Sequence, residues 1–181
     1  MAWTSPMVFT PNSVLTASQL NTHLRDNLLE LAPAKTSQSG SIVMGAGYNK
    51  LAERIPVSAR VAAVESVQKT EFSNLVTAGP KVVAKTGTRA LVFIAAACGS
   101  AGIRQACIMG YDITGATRRE ASDDRSLYIE GLHAAKDNRW CHIVLEEDLK
   151  PGLNTFTCKY KAGTTDFTST FHDRFICVWP I

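Results

Sequence analysis

Residues 140–178 read WCHIVLEEDLKPGLNTFTCKYKAGTTDFTSTFHDRFICV. This stretch holds three short runs of apolar or alternating residues, Trp140–Glu146, Asn154–Lys161 and Phe171–Val178, separated by DLKPGLN and KAGTTDFTS. Gly, Asp and Asn at such points supply the backbone dihedrals that turns require. The same grammar continues upstream through Lys81–Ala84, Arg89–Cys98, Arg104–Asp112 and Ser126–His133, punctuated by KTGT, CGSAG, ITGATRREASDD and AAKDN. About seven or eight short strands at this spacing, with no βαβ alternation and no internal repeat, predict a mainly β fold. The expectation is an antiparallel β-sandwich of jelly-roll type over residues 64–181, preceded by a short N-terminal α-helix.

That helix is read from TASQLNTHLRDNLLEL, residues 16–31. Thr16 and Gln19 form a capping box, and Leu15 with Leu20 fits the hydrophobic staple. Ala17, Leu20, Leu24, Leu28 and Leu31 fall three and four apart on one face, and Pro33 ends a run of about four turns. Asn21, Arg25 and Glu30 point elsewhere. A helix of this length is marginal alone in water, so its leucine stripe must pack on something. Before it, Pro6 and Pro11 favour an extended leader, whose Trp3, Val8 and Phe9 also need a covering surface. Residues 1–35 are therefore read as leader and anchor helix. AKTSQSG opens a linker or strap over 36–63, in which Val57, Ala59, Val61 and Ala63 alternate as in a strand.

Composition narrows the function. Hydrophobic residues make up 45%, enough for one core, while charged residues are 19%, below the roughly 25% of soluble proteins. The shortfall suits a sandwich or a chain partly buried in an assembly. The formal charge is +3 and no basic run exceeds Arg118-Arg119, so no nucleic-acid footprint is expected. MAWTSPMVFTPN lacks a basic n-region and a continuous apolar h-region, and no stretch of about 18 apolar residues occurs. The expectation is a protein made without export and with no membrane insertion. Cys98, Cys107, Cys141, Cys158 and Cys177 form no CxxC pair and read as buried, reduced thiols.

The chemistry-bearing residues do not assemble into a catalytic site. Cys141 and His142 are adjacent in a strand and point to opposite faces, so they read as a packed Cys and a surface His. Glu120, Asp123 and Asp124 among Arg118, Arg119 and Arg125 read as a solvated, salt-bridged turn rather than a glycosidase pair. EEDLKPG lacks the DxDxDG pattern of a calcium loop, and no Walker, GxGxxG or GxSxG spacing occurs. No enzyme activity, metal or cofactor is expected. Trp140 and Trp179 read as core or half-buried; a sugar platform would need them exposed side by side.

The opening WTSPMVFTPNSVLTASQLNTHLRDNLLELAPAK resembles a signature near the N-terminus of tailed-phage structural proteins, especially those of actinobacterial phages, in the minor tail protein and fibre family. The matching residues are Trp3, Val14, Leu15, Thr16, Ala17, Leu20, Asn21, Arg25, Asp26, Asn27 and Leu28. Gly47, Asn49, Leu51, Ala52, Glu53 and Arg54 match a following "GxNxLAER", and LKPGLNTFTCKYKAG and DRFICVWPI resemble the last strands of the same proteins. The likeness covers about the first 55 and last 35 residues of the chain. It implies a structural component of a tailed-phage virion (minor tail protein, tail fibre or head fibre), made in the bacterial host cytoplasm. Its N-terminal segment would anchor to the particle and its β domain would project outward, commonly as a homotrimer. The residues implicated in partner or trimer contact are Leu20, Leu24, Leu28, Leu31, Trp3, Phe9, Arg25, Asp26 and Asn27. Arg25 and Asp26 also fit plain solvated helix positions. Three copies could pack the leucines together, with Asn27 interrupting a strict heptad, or each helix could dock in a groove of another virion protein. The alternative from a different class is a host-receptor or glycan-binding attachment domain.

Overall fold

A computed structural model describes residues 3–31, 35–102, 105–130 and 138–181, the last segment from the backbone of 138 onward. The chain divides into two compact units, Met1–Ile55 and Pro56–Ile181.

In the first unit, α1 (Ala17–Leu20) begins at Thr16, whose side chain accepts the Gln19 amide while Gln19 reaches back to the Thr16 amide. The chain then widens into a π-helical segment, Asn21–Asp26. The expected four-turn α-helix is thus a composite, and the cause is local. Asn27 Nδ2 donates to the His23 carbonyl at 3.2 Å, taking the acceptor that the Asn27 amide would use in a regular helix. Asn27 N–H bonds Leu24 instead. Pro33, the expected stop, lies outside the described residues. The GSIVMGAG strap forms β1 (Ile42–Gly47), which pairs antiparallel with β2 (Lys50–Arg54). The turn between them uses positive φ at Gly47 and Asn49, conformations that Gly and Asn tolerate best.

The second unit is a two-sheet antiparallel sandwich. One sheet orders β3 (Val57–Val61), β11 (Ser169–Pro180), β6 (Ala90–Ser100) and β9 (Asn138–Glu146), with β4 (Glu65–Val67) also on β11. The other orders β5 (Lys81–Thr86), β10 (Gly152–Ala162), β7 (Ala106–Gly115) and β8 (Leu127–Glu130). With β3 and β4 taken as one interrupted strand, this is the eight-strand, double Greek-key order of a jelly roll. The expected mainly β sandwich is therefore present. β3 sits within the segment 36–63, yet hydrogen bonds to β11 from Val57 to Val61. The three-residue β4 was not anticipated, being too short to show a period.

Most strands run a little further than their apolar runs, because backbone pairing continues after the side chains turn polar. Ser126–His133 is the exception: it is β8 only to Glu130, and the rest of that run lies outside the described residues, as do Arg104 and most of the AAKDN turn. Alternation places Val92, Ile94, Met109, Tyr111, Phe156, Cys158, Tyr160, Ile176 and Val178 in one core between the sheets, all fully buried. At about 25 cal/mol per Å² this burial is the main term holding the sandwich together. A bulge in β11 between His172 and Phe175, with Asp173 at φ 50°, resets the alternation there. It turns Arg174 into the interior and Asp173 out, the re-aiming that a single extra residue produces.

Candidate attachment surface

The implicated N-terminal residues fall into two groups. Asn27 is buried and works as a latch. Its Oδ1 accepts from the Thr4 amide at 2.9 Å and its Nδ2 donates to the Thr4 carbonyl at 2.9 Å. His23 Nδ1 lies 3.0 Å from the Ser5 carbonyl. The leader is thereby held along the helix by paired backbone contacts. Trp3 extends the same path, its amide donating to the Asn49 carbonyl at the hairpin turn, 2.9 Å away. A cleft of about 350 Å³ opens there between Trp3, Glu30, Leu31 and the hairpin residues Gly45, Asn49 and Leu51. Glu53 accepts from the Ser37 amide at 2.7 Å and hydroxyl at 2.6 Å. The Ser37 bonds hold its carboxyl down at about 2 from an ordinary 4.5. The residues of the "GxNxLAER" likeness are thus a turn and a pin for the strap.

The second group is apolar and uncovered. Leu20, Leu24, Leu28 and Leu31 are 42%, 57%, 54% and 43% exposed, and Phe9 is 56% exposed. In a single copy of the unit each of these side chains keeps about half of its surface in water. Arg25 and Asp26 pair with each other at 2.7 Å, and the Arg25 side chain remains largely exposed. Arg25 is a solvated helix position, while the Asp26 side chain is largely covered, at 18% exposed.

Two charge clusters of the β unit are centred on buried groups. Glu146, 1% exposed, accepts from the Tyr111 hydroxyl at 2.5 Å, Arg119 Nη1 at 2.7 Å and Arg125 Nη1 at 3.0 Å. Arg125 also lies 5.5 Å from the Tyr111 ring centroid. Burial, then the Glu146 hydrogen bond, pushes the Tyr111 hydroxyl far up, leaving it a permanent donor. The Arg-rich turn expected to be solvated therefore sends two of its arginines to a buried carboxylate on β9; Arg118 and Glu120 remain a loose exposed pair, and exposed Asp123 pairs with Lys161. No local pattern marks Glu146, since the contact spans more than 20 residues. The second cluster is centred on Arg174, fully buried, 3.0 Å from Glu65 and 5.3 Å from the Tyr160 ring centroid. Burial raises the Glu65 carboxyl, but bonds from the Thr77 hydroxyl and amide, with the Arg174 charge, outweigh it and hold it below the usual range. In both clusters the carboxylate is held by buried or half-buried arginine partners.

Two expectations are corrected here. Cys141 is exposed and His142 half-buried, the reverse of a packed Cys and a surface His. The reason is the face on which each falls: Cys141 pairs with Ala95 on the outer side of β6, and His142 with inward-facing Ile94. Trp140 and Trp179 are 58% and 44% exposed, but Trp140 shares the face of Ala96 and Trp179 the face of Leu91. They stand on opposite sides of one sheet and make no joint sugar platform. Among the described residues no group of three or more His, Cys, Asp or Glu is placed to hold a metal ion, and no helix is long and apolar enough to cross a membrane.

No protein-family model matches the sequence, and no curated protein matches it. Solved structures similar to the chain include the infectious bursal disease virus VP2 subviral particle, at 12% identity and a TM-score of 0.49. The structure of infectious bursal disease virus Gx strain is similar at 11% identity and a TM-score of 0.46. Each covers 80% of this chain, and the chain spans only 40% and 39% of those chains.

Proposed function

We propose that the protein is a structural component of a tailed-phage virion, a minor tail protein, tail fibre or head fibre, that acts by binding and not by catalysis. The N-terminal unit is the attachment element, and the jelly roll is the part it carries outward. One observation carries this reading: four leucines and Phe9 stay exposed on a helix and leader that polar bonds at Asn27 and Asn49 hold in place. A positioned but uncovered apolar row is a surface prepared for a partner. The motif likeness of residues 3–28 to phage structural proteins supports the nature of that partner, either two further copies in a homotrimer or a groove on another virion protein. The structural pairing of Glu146, Glu65 and the arginines supports a non-catalytic role.

The test is particle incorporation. Phage propagated with a chain lacking residues 1–35 should yield particles without the protein, while the isolated β unit still folds. Particles that retain the truncated chain at the normal level would refute the attachment reading. Hydrolysis of host envelope polymer by the purified chain would refute the non-catalytic one.

A further inference from the structure

The two outer faces of the sandwich differ in chemistry. On the β5–β10–β7 side Lys81, Lys85, Thr155, Thr157 and Lys159 point outward, with Val83 and Leu153 among them. On the other side the register sets Cys177, Phe93 and Ile143 in one row across β11, β6 and β9. Trp179, Leu91 and Leu145 make the row on one flank, and Phe175, Ala95 and Cys141 the row on the other. Ile143, Leu145 and Trp179 are 54%, 47% and 44% exposed.

Charges close this face at both ends, with an excess of positive charge at one and an exposed ion pair at the other. At one end Arg60 and Arg139 share Asp173, leaving an excess of positive charge, with the Arg139 side chain 65% exposed. At the other end Glu147, 52% exposed, pairs with Arg89. Ile143 lies midway along the strand direction between Arg139 and Glu147. At about 4.8 Å per strand and 3.4 Å per residue, four strands over this length give a face of roughly 500 Å². Two such faces stacked would bury roughly 1,000 Å², the threshold for a specific interface.

We propose that this face pairs with the same face of a second copy about a two-fold axis that crosses the strands at the Phe93–Ile143 row. That operation lays β9 antiparallel over the partner's β9. Arg139 then meets the partner's Glu147, and Glu147 the partner's Arg139. Leu91 lies over the partner's Ala95, and Trp179 over the partner's Phe175, so large side chains meet smaller or staggered ones. Aligned sheet packing rotates the strands by about 30° and leaves the central row in contact. The alternative two-fold, parallel to the strands, would bring Arg139 toward the partner's Arg60 and is disfavoured by charge. The pairing uses only residues of the β unit and does not depend on how the N-terminal unit attaches.

Sedimentation equilibrium of the full chain tests it. Wild-type protein should self-associate, and Ile143→Glu should weaken the association at least about thirtyfold, as for a central interface residue. Arg139→Glu and Glu147→Arg should each weaken it about tenfold, because each homodimer then holds two like-charge contacts. An equimolar mixture of those two variants should recover it, since both contacts in the mixed pair are again opposite in sign. Thr157→Glu on the Lys and Thr face should change nothing. A wild-type chain that stays monomeric, or a mass untouched by Ile143→Glu, would overturn the proposal. So would a mixture no tighter than its separate variants, or a mass that falls only when residues 1–35 are removed.

Discussion

Strand β6 and the helical stretch from Ala17 to Asp26 both carry regularly spaced apolar residues, and these end in opposite environments. In β6, Val92, Ile94 and Ala96 are fully buried, because a second sheet of the same unit lies across from them. In the helix, Leu20 and Leu24 stay about half exposed. The described residues of the N-terminal unit form a two-stranded hairpin and a short helix, neither of which is stable alone in water. Hydrophobicity of sequence therefore does not decide burial; the supply of a facing layer does. The β unit makes its own second layer. The N-terminal unit is held together by polar contacts and leaves its leucines about half exposed.

The comparison breaks most readily inside the β unit. Glu65→Ala leaves Arg174 as a buried charge without its partner, and the unfolding free energy of this unit should fall by about 3–5 kcal/mol in denaturant titration. A loss under about 1 kcal/mol would mean that the ion pair is not part of what makes the unit self-sufficient. The same pair sets an acid limit. Because the folded Glu65 carboxyl is held below its ordinary 4.5, its contribution is complete above that value and is lost as pH falls through the folded value. Thermal melts of wild type and Glu65→Gln should converge in acid; curves that stay parallel would contradict this linkage.

In the N-terminal unit the expected effects are smaller and local. Asn27→Ala removes the bonds to the Thr4 amide, hydroxyl and carbonyl, so amide exchange at Thr4 and Trp3 should speed up by an amount matching about 1–2 kcal/mol, with the β-unit transition unchanged. Unaltered exchange at Thr4 would show that the leader is held by something else. Glu53 predicts a second local change. As its carboxyl is protonated on lowering the pH from 4.5 toward about 2, Ser37 should lose protection while the β core keeps it. The smallest stability effect sharpens the contrast most: Leu24→Glu should shift unfolding of the isolated chain by less than about 0.5 kcal/mol, since the side chain is already in water. A large loss would mean that the leucine row is part of a core.

The residues differ in how far the sequence alone exposes them. Strands of the sandwich are legible because period-two alternation and Gly/Asp/Asn turns are local signals, and they recur at every strand from Lys81 to Val178. The capping box at Thr16 and Gln19 is legible for the same reason. What escapes is anything that depends on a distant neighbour or on one extra residue. The bulge at Asp173 reverses which side chains point inward, so Arg174 becomes a core residue inside a run that reads as strand. Glu146 gathers Tyr111, Arg119 and Arg125 from remote positions. Asn27 reads as a flank position in the leucine stripe, and only the fold brings Thr4 against it. Cys141 and Trp179 were expected inside because strand faces were assigned without knowing which one meets the second sheet.

The attachment claim is tested most directly by an electron-microscopy reconstruction of the intact virion at side-chain resolution. The account predicts density for residues 3–31 with Leu20, Leu24, Leu28 and Leu31 buried against another chain, whether a further copy or a different virion protein. A particle that lacks the chain, or one in which those leucines remain in solvent while some other surface makes the contact, would contradict it.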